Sequence, residues 1–91
     1  MVKLYVIMAY DVNEKRVAKV LKKARQYLTW VQNSLLEGEI TEAKYEILKR
    51  QIKKITNEEE DSITWYVFES RKIFKKETYG IEKGEPQDLI F

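Results

Sequence analysis

The run Val2-Lys3-Leu4-Tyr5-Val6-Ile7-Met8-Ala9-Tyr10-Asp11 predicts a central β-strand. Eight of its ten residues are apolar or aromatic, and none of them breaks a strand. Because side chains alternate along a strand, Tyr5, Ile7, Ala9 and Asp11 share one face, and the even-numbered residues share the other. Both faces are largely apolar. One must pack against this chain's own helices and the other favours a partner, but alternation alone does not say which.

Composition bounds the chemistry of the 91-residue chain, which we expect to form one domain over residues 1–91. It has no cysteine and no histidine, which excludes disulfides, thiolate nucleophiles, imidazole bases and the usual zinc ligands. The net charge is only +2, so the local distribution of charge matters more than its sum. No apolar run approaches ~18 residues and no basic leader precedes the first strand, so we expect a cytoplasmic protein with no membrane contact.

A helix is predicted over residues 13–28, with Asn13 as its N-cap and a buried stripe of Val17, Val20, Leu21, Ala24 and Leu28. Its outer face is basic: Lys15, Arg16, Lys19, Lys22, Lys23 and Arg25. Such a face is ordinarily a solvated surface, and the alternative is a surface that binds nucleic acid. The helix starts two residues after Asp11, so we expect its first turns near that carboxylate.

The middle of the chain predicts a hairpin, a second helix and a third strong strand. In residues 29–40 the polar trio Gln32-Asn33-Ser34 favours a turn between two short strands over a single bulged strand. Thr41 is expected to cap a helix from Glu42 to about Ile55. Residues 56–61 form an acidic loop, which we interpret as solvated rather than cation-binding. Residues 62–69 predict a strand.

The C-terminal part predicts a short strand over residues 75–79 and a turn-rich connection within residues 80–91. Its last residues, Leu89-Ile90-Phe91, are expected to form a strand on a sheet edge of this protomer or of a partner. The order of elements indicates a ferredoxin-like α+β fold (βαββαβ) with an extra short C-terminal strand, and with two helices on one face of the sheet.

Asp11 is the candidate for catalysis and for metal binding. Many strand-end aspartates only cap the following helix, which is the alternative interpretation. Mg²⁺ is commonly held by one or two carboxylates together with waters and substrate phosphates. A twofold homodimer formed through the open sheet face would bring two copies of Asp11 towards each other. Mg²⁺ held there would polarise a phosphodiester and activate a water without any histidine.

Several segments resemble a known family: Tyr10-Asp11, the following helix with Arg16, the segment 31–38 (Val-Gln-Asn-Ser-Leu-Leu-Glu-Gly), and Asp61-Ser62-Ile63. In order and spacing they are similar to the small CRISPR-associated endonucleases of the spacer-acquisition module, the second Cas protein family. The resemblance implies a ferredoxin-like homodimer whose first-strand aspartate is the catalytic Mg²⁺ ligand. It also implies that the C-terminal segment adds a strand to the sheet of the other protomer.

The resemblance transfers to individual positions of this sequence. Asp11 matches the metal-binding aspartate, Tyr10 the aromatic residue before it, and Arg16 a basic substrate contact. Ser34 and Glu37-Gly38 match a segment that usually reads Ser, Val, Phe, Glu, Gly, in which Leu35 and Leu36 stand here for Val and Phe. The residues expected to contact nucleic acid are Tyr10, Lys15, Arg16, Lys19, Lys23 and Ser34.

Three functions remain open at this stage. The first is a Mg²⁺-dependent endonuclease of spacer acquisition that cleaves single-stranded RNA, double-stranded DNA or both. The second is a non-catalytic adaptor that bridges dimers of the CRISPR integrase, with the basic face of the first helix following DNA phosphates. The third is a ferredoxin-like sensor or toxin-like domain without any link to CRISPR, which a strictly monomeric state would favour.

Overall fold

The computed structural model describes residues 2–69, 77, 79 and 80. Its elements are β1 (Lys3–Asp11), α1 (Glu14–Ala24), β2 (Thr29–Gln32), β3 (Leu35–Thr41), α2 (Glu42–Ile55) and β4 (Ser62–Phe68). The predicted βαββαβ order is confirmed. The strand predicted over 75–79 and the segment 80–91 fall outside the continuously described residues. Neither helix of the described part is long and apolar enough to cross a membrane.

The four strands form one antiparallel sheet in the order β2-β3-β1-β4, which is the ferredoxin-like arrangement. β1 lies between β3 and β4, as expected for the most apolar strand. The hairpin interpretation is confirmed, because β2 and β3 are separated by Asn33 and Ser34. A register irregularity between Trp30 and Gln32 adds the bulge that was the alternative, so this segment contains both features.

The structure decides which face of β1 the helices cover. Leu4, Val6, Met8 and Tyr10 are buried in one cluster with residues of both helices, among them Val20 from α1 and Leu48 and Ile52 from α2. The odd-numbered residues, including Ile7 and Asp11, therefore lie on the face that the two described helices do not cover, although Tyr5 among them is buried. Apolar burial on the helix side supplies the main driving force for folding, at roughly 25 cal/mol per Å² of apolar surface.

Both predicted helix caps are confirmed. The Asn13 side chain accepts a hydrogen bond from the Lys15 amide at 2.9 Å, and Thr41 accepts one from the Lys44 amide at 3.2 Å. The predicted end of α1 at residue 28 is wrong, since the helix ends at Ala24. Its last turn tightens, and the Leu28 amide still bonds to the Ala24 carbonyl, so Leu28 remains buried although it lies outside the helix.

Gly38 lets β3 pass close beneath the turn that follows α1. A Cβ atom at this position would lie 3.4 Å from Leu28 Cδ2 and 3.6 Å from Leu28 Cα. These are ordinary van der Waals distances, so Leu28 packs directly over β3 at this position.

Candidate functional site

Asp11 is the last residue of β1, and it lies exposed on the open face of the sheet. Its neighbour on β4 is Ser62, which pairs with it directly in the antiparallel register. The cap of α1 is Asn13, so Asp11 does not have the capping role that was its alternative interpretation. Among the described residues, no side chain or amide bonds to the Asp11 carboxylate, which is therefore available to a ligand.

Tyr10 points in the opposite direction from Asp11. Its ring is buried on the helix side, and its hydroxyl donates a hydrogen bond to the Asn33 carbonyl at 2.6 Å. Burial raises the pKa of this hydroxyl above its usual value. The Tyr10 amide also donates to the Ser34 carbonyl at 3.1 Å. Tyr10 thus ties the end of β1 to the β2–β3 turn. Because Asp11 follows Tyr10 in the chain, the exposed Ser34 lies close to Asp11 in space.

Arg16 lies near the Asp11 end of the sheet, as expected, but its guanidinium is held by two carboxylates. Arg16 Nε donates to Asp61 Oδ2 at 2.6 Å and Nη2 to Asp61 Oδ1 at 3.0 Å, while Nη2 also reaches Glu60 Oε1 at 2.9 Å. The Arg16 side chain is 20% exposed. These contacts give Arg16 a structural role, and they hold its pKa well above the usual value.

Asp61 is a residue whose importance the sequence did not reveal. Its side chain is 1% exposed, and it accepts hydrogen bonds from the amides of Asn13 (2.9 Å) and Asn57 (2.8 Å) as well as from Arg16. The Arg16 guanidinium, together with these amides, keeps the pKa of Asp61 well below its usual range. In the sequence, an aspartate that follows three glutamates looks like part of a solvated loop. The one signal that set Asp61 apart was its place in the segment Asp61-Ser62-Ile63.

The acidic loop before β4 carries three consecutive glutamates. Glu58, Glu59 and Glu60 are exposed, and no group of three or more acidic side chains within residues 2–69, 77, 79 and 80 converges in a way that could hold a cation. The three glutamates are solvent-exposed, as expected of a solvated loop, but Asp61 at its end is not, since its side chain is 1% exposed. Glu60, 55% exposed, adds its contact to Arg16 from the solvent side.

The basic residues of α1 form a stripe that leads away from Asp11. Lys15, Lys19 and Lys23 recur every four residues and therefore lie along one side of the helix. Lys15 belongs to the first turn, and Lys23 lies about 12 Å farther along the axis. Since α1 packs on the covered side of the sheet and Asp11 lies on the open side, the structure brings Lys15 to the Asp11 end but not Lys23.

Leu36 occupies the position at which the resembled family usually has phenylalanine. It is fully buried, and it pairs with Met8 on β1 and with Trp30 on β2. This position therefore contributes to the core of this chain and offers no surface to a substrate.

The open face of the sheet carries apolar and aromatic side chains up to Asp11. Ile7 pairs with Tyr66, which is 52% exposed, and Tyr5 pairs with Phe68. The Tyr5 hydroxyl donates to Glu37 Oε2 at 2.8 Å. A surface of this composition is typical of a protein–protein interface, in which aromatic residues are enriched.

Comparisons with known proteins agree with this geometry. Residues 4–76 match the family described as CRISPR associated protein Cas2. A protein of Thermotoga maritima named CRISPR-associated endoribonuclease Cas2 is 61% identical over 82 residues, which cover 90% of this chain and 94% of that protein. A protein of the same name from Dictyoglomus turgidum is 54% identical over 87 residues, covering 96% of this chain and 100% of the relative.

Solved structures agree with the sequence relatives. A structure titled as the crystal structure of Cas2 superposes with a TM-score of 0.79 at 41% identity, covering 89% of this chain and 91% of that one. Cas2 of Streptococcus pyogenes, solved at pH 6.5, superposes with a TM-score of 0.72 at 33% identity, covering 84% of this chain and 99% of that one. The match spans both the fold and the segments around Asp11, and the chain belongs to the CRISPR-associated Cas2 family.

Proposed function

We propose that this protein is a Mg²⁺-dependent endonuclease that cleaves phosphodiester bonds of nucleic acid during CRISPR spacer acquisition. The observation that carries the proposal is the exposed carboxylate of Asp11 at the end of β1, to which none of the described residues bonds. The relatives are named endoribonucleases, which favours single-stranded RNA as substrate. Double-stranded DNA is the other substrate to be tested. A protein that acts on CRISPR nucleic acid would be located in the cytoplasm.

The donor set at this site fits Mg²⁺. This hard cation takes oxygen ligands and is commonly held by one or two carboxylates, with waters and substrate phosphates completing the octahedron. Asp11 would hold it, since its oxygens have no partner among the described residues, whereas those of Asp61 are occupied. When bound, Mg²⁺ would supply Lewis acidity to the phosphodiester and lower the pKa of a water.

A homodimer through the open face would complete the site. The residues Ile7, Tyr66 and Phe68, which are exposed or half-buried in one protomer, would be buried between two protomers, with a copy of Asp11 from each protomer on either side of the twofold axis. Each chain would then supply one carboxylate to a shared metal site. Sedimentation equilibrium at several protein concentrations measures the dimer directly, and a strictly monomeric protein would contradict this part of the proposal.

The nucleic acid backbone would run past the end of the sheet. Ser34, in the β2–β3 turn, and Lys15, in the first turn of α1, are exposed at the end of the sheet that carries Asp11. Lys19 and Lys23 would extend the contact along the helix, by neutralising phosphates without reading the bases. Tyr10 and Arg16 would act on the substrate through the geometry that they impose on the end of β1.

The experiment that tests the proposal is a cleavage assay with Asp11→Asn beside the wild type, on single-stranded RNA and on duplex DNA, with and without Mg²⁺. We expect metal-dependent products from the wild type and a rate at least ~100-fold lower from the variant, because a metal ligand is lost. Glu14→Gln is the matched control, since it removes an exposed carboxylate from the neighbouring first turn of α1. It should cleave like the wild type.

A second function is favoured by the basic stripe of Lys15, Lys19 and Lys23, which lies on the side of the sheet away from the Asp11 face. In that case the dimer would be an adaptor that holds DNA and bridges the CRISPR integrase, with no chemistry at Asp11. Duplex binding that weakens steeply with salt, without products from the wild type or from Asp11→Asn, would select this function.

A further inference from the structure

Asp61 and Asp11 lie at the same end of the sheet, but their surroundings are opposite. Asp11 is exposed and unbonded among the described residues, whereas the Asp61 side chain is 1% exposed. Asp61 follows the acidic loop and immediately precedes Ser62, the residue that pairs with Asp11 across the sheet. Asp61 is thus next to Ser62 in the chain, and its carboxylate is close to the backbone that follows Asp11.

The carboxylate of Asp61 accepts four hydrogen bonds. Oδ1 accepts from the Asn13 amide at 2.9 Å and from Arg16 Nη2 at 3.0 Å. Oδ2 accepts from Arg16 Nε at 2.6 Å and from the Asn57 amide at 2.8 Å. A carboxylate has about four lone-pair sites. Asp61 is therefore saturated by protein donors, which leaves no oxygen free to coordinate a metal.

The bond to the Asn13 amide connects Asp61 to Asp11. Asn13 follows Asp11 by two residues and is the N-cap of α1, so its position determines how the chain leaves β1 and enters the helix. Arg16, in the first turn of the same helix, donates to the same carboxylate from two nitrogens, and it thereby ties the helix start to the α2–β4 loop.

We propose that Asp61, held by Arg16, is a positioning residue for Asp11. By accepting the Asn13 amide it keeps the turn after β1 in one conformation, so that the Asp11 carboxylate meets its metal already oriented. This inference rests on the proposed function, because it assigns a role at the same site. Residues that orient a ligand in this way typically affect metal affinity or activity by about 10- to 100-fold.

The test is the Mg²⁺ dependence of cleavage in Asp61→Asn, measured where circular dichroism shows the variant to be folded. We expect the Mg²⁺ concentration at half-maximal rate to rise about 10-fold, while kcat at saturating Mg²⁺ recovers, because bound metal can restore the order that the variant lacks. A lower melting temperature with an unchanged Mg²⁺ requirement would overturn the proposal. So would loss of kcat at every Mg²⁺ concentration, which would mark Asp61 as a ligand itself.

Two further variants control this test. Glu60→Gln removes the negative charge of the solvent-side partner of Arg16, and it should leave the Mg²⁺ requirement unchanged. Arg16→Lys keeps the charge and the amide bonds of Asp61 but loses the two-nitrogen grip, so it should give an intermediate Mg²⁺ requirement. If Asp61→Asn does not fold, Arg16→Lys decides, and a wild-type Mg²⁺ requirement in that variant would overturn the proposal.

A measurement without metal separates this inference from the proposed function. Amide hydrogen exchange at Asn13, followed by NMR, should become at least ~10-fold faster in Asp61→Asn, and the Asp11 backbone resonances should shift. If the wild type cleaves nothing in Mg²⁺, the proposed function fails, but these signals still test the positioning. Unchanged Asp11 resonances and unchanged Asn13 exchange in the variant would overturn it.

Discussion

Met8 and Ile7 are adjacent in β1, yet Met8 is fully buried beneath the helices and the half-buried Ile7 lies on the face that neither described helix covers. The covered face ends in Tyr10, whose hydroxyl is bonded to a backbone carbonyl, and the open face ends in Asp11. Among the described residues, no buried side-chain nitrogen or oxygen lacks a hydrogen-bond partner. On the open side apolar groups and a carboxylate remain available to a second molecule, which is why we assign function to that side.

The largest effect expected from this comparison is on folding, in Met8→Ala. Removing a fully buried side chain leaves a cavity among β1, β3 and the helices, so we expect the free energy of unfolding to fall by about 3 kcal/mol. Urea denaturation at a fixed protein concentration measures this change. A loss below about 1 kcal/mol would mean that the core collapses onto the gap or that the covered face is not tightly packed.

A smaller effect, and on a different property, is expected for Ile7→Ala. If the open face is the dimer interface, this change should raise the dimer Kd about 10-fold, which corresponds to about 1.4 kcal/mol, while each protomer keeps its fold. Ile47→Ala on α2, a matched change at an exposed position away from the sheet, should leave the Kd unchanged. An Ile7→Ala protein that unfolds as easily as Met8→Ala, with an unaltered Kd, would contradict the contrast between the two faces.

The third expected effect is a loss of thermal stability in acid, which is absent at neutral pH. The pKa of Asp61 is depressed in the folded protein, so its contribution to stability is complete above the unfolded value of ~4 and is lost as the pH falls towards the folded value. We therefore expect the melting temperature to fall below about pH 4 in the wild type and to fall less in Asp61→Asn.

Local sequence signals predicted most of the fold. The cap residues Asn13 and Thr41, the turn at Asn33-Ser34 and the apolar periodicities were read correctly, because each depends on residues that are neighbours along the chain. The end of α1 was misplaced from Ala24 to Leu28, since Leu28 continues the helical spacing. Leu28 is buried by packing against the sheet beside Gly38, and such packing cannot be distinguished by periodicity from a longer helix.

The candidate site was predicted unevenly. Asp11 was identified from its place at the end of an apolar strand and from the family resemblance, whereas Ser34 was named only as a nucleic-acid contact, and its backbone contact with Tyr10 beside Asp11 was not foreseen. Arg16 was expected to contact nucleic acid, but its partner Asp61, 45 residues away in the chain, was not foreseen. Ion pairs between residues that are distant in the chain produce no periodic pattern, so one sequence read by itself does not reveal them.

The sequence by itself determined the order of strands and helices, the absence of histidine and cysteine chemistry, and the presence of one strand-end carboxylate, because composition and local periodicity are properties of the chain alone. Only the tertiary structure decided which face of β1 the helices cover, and hence that Asp11 is exposed while Tyr10 is buried. It also decided that Asp61 is saturated by Arg16, Asn13 and Asn57. Those outcomes depend on which distant segments meet, and that is set by packing of the whole domain.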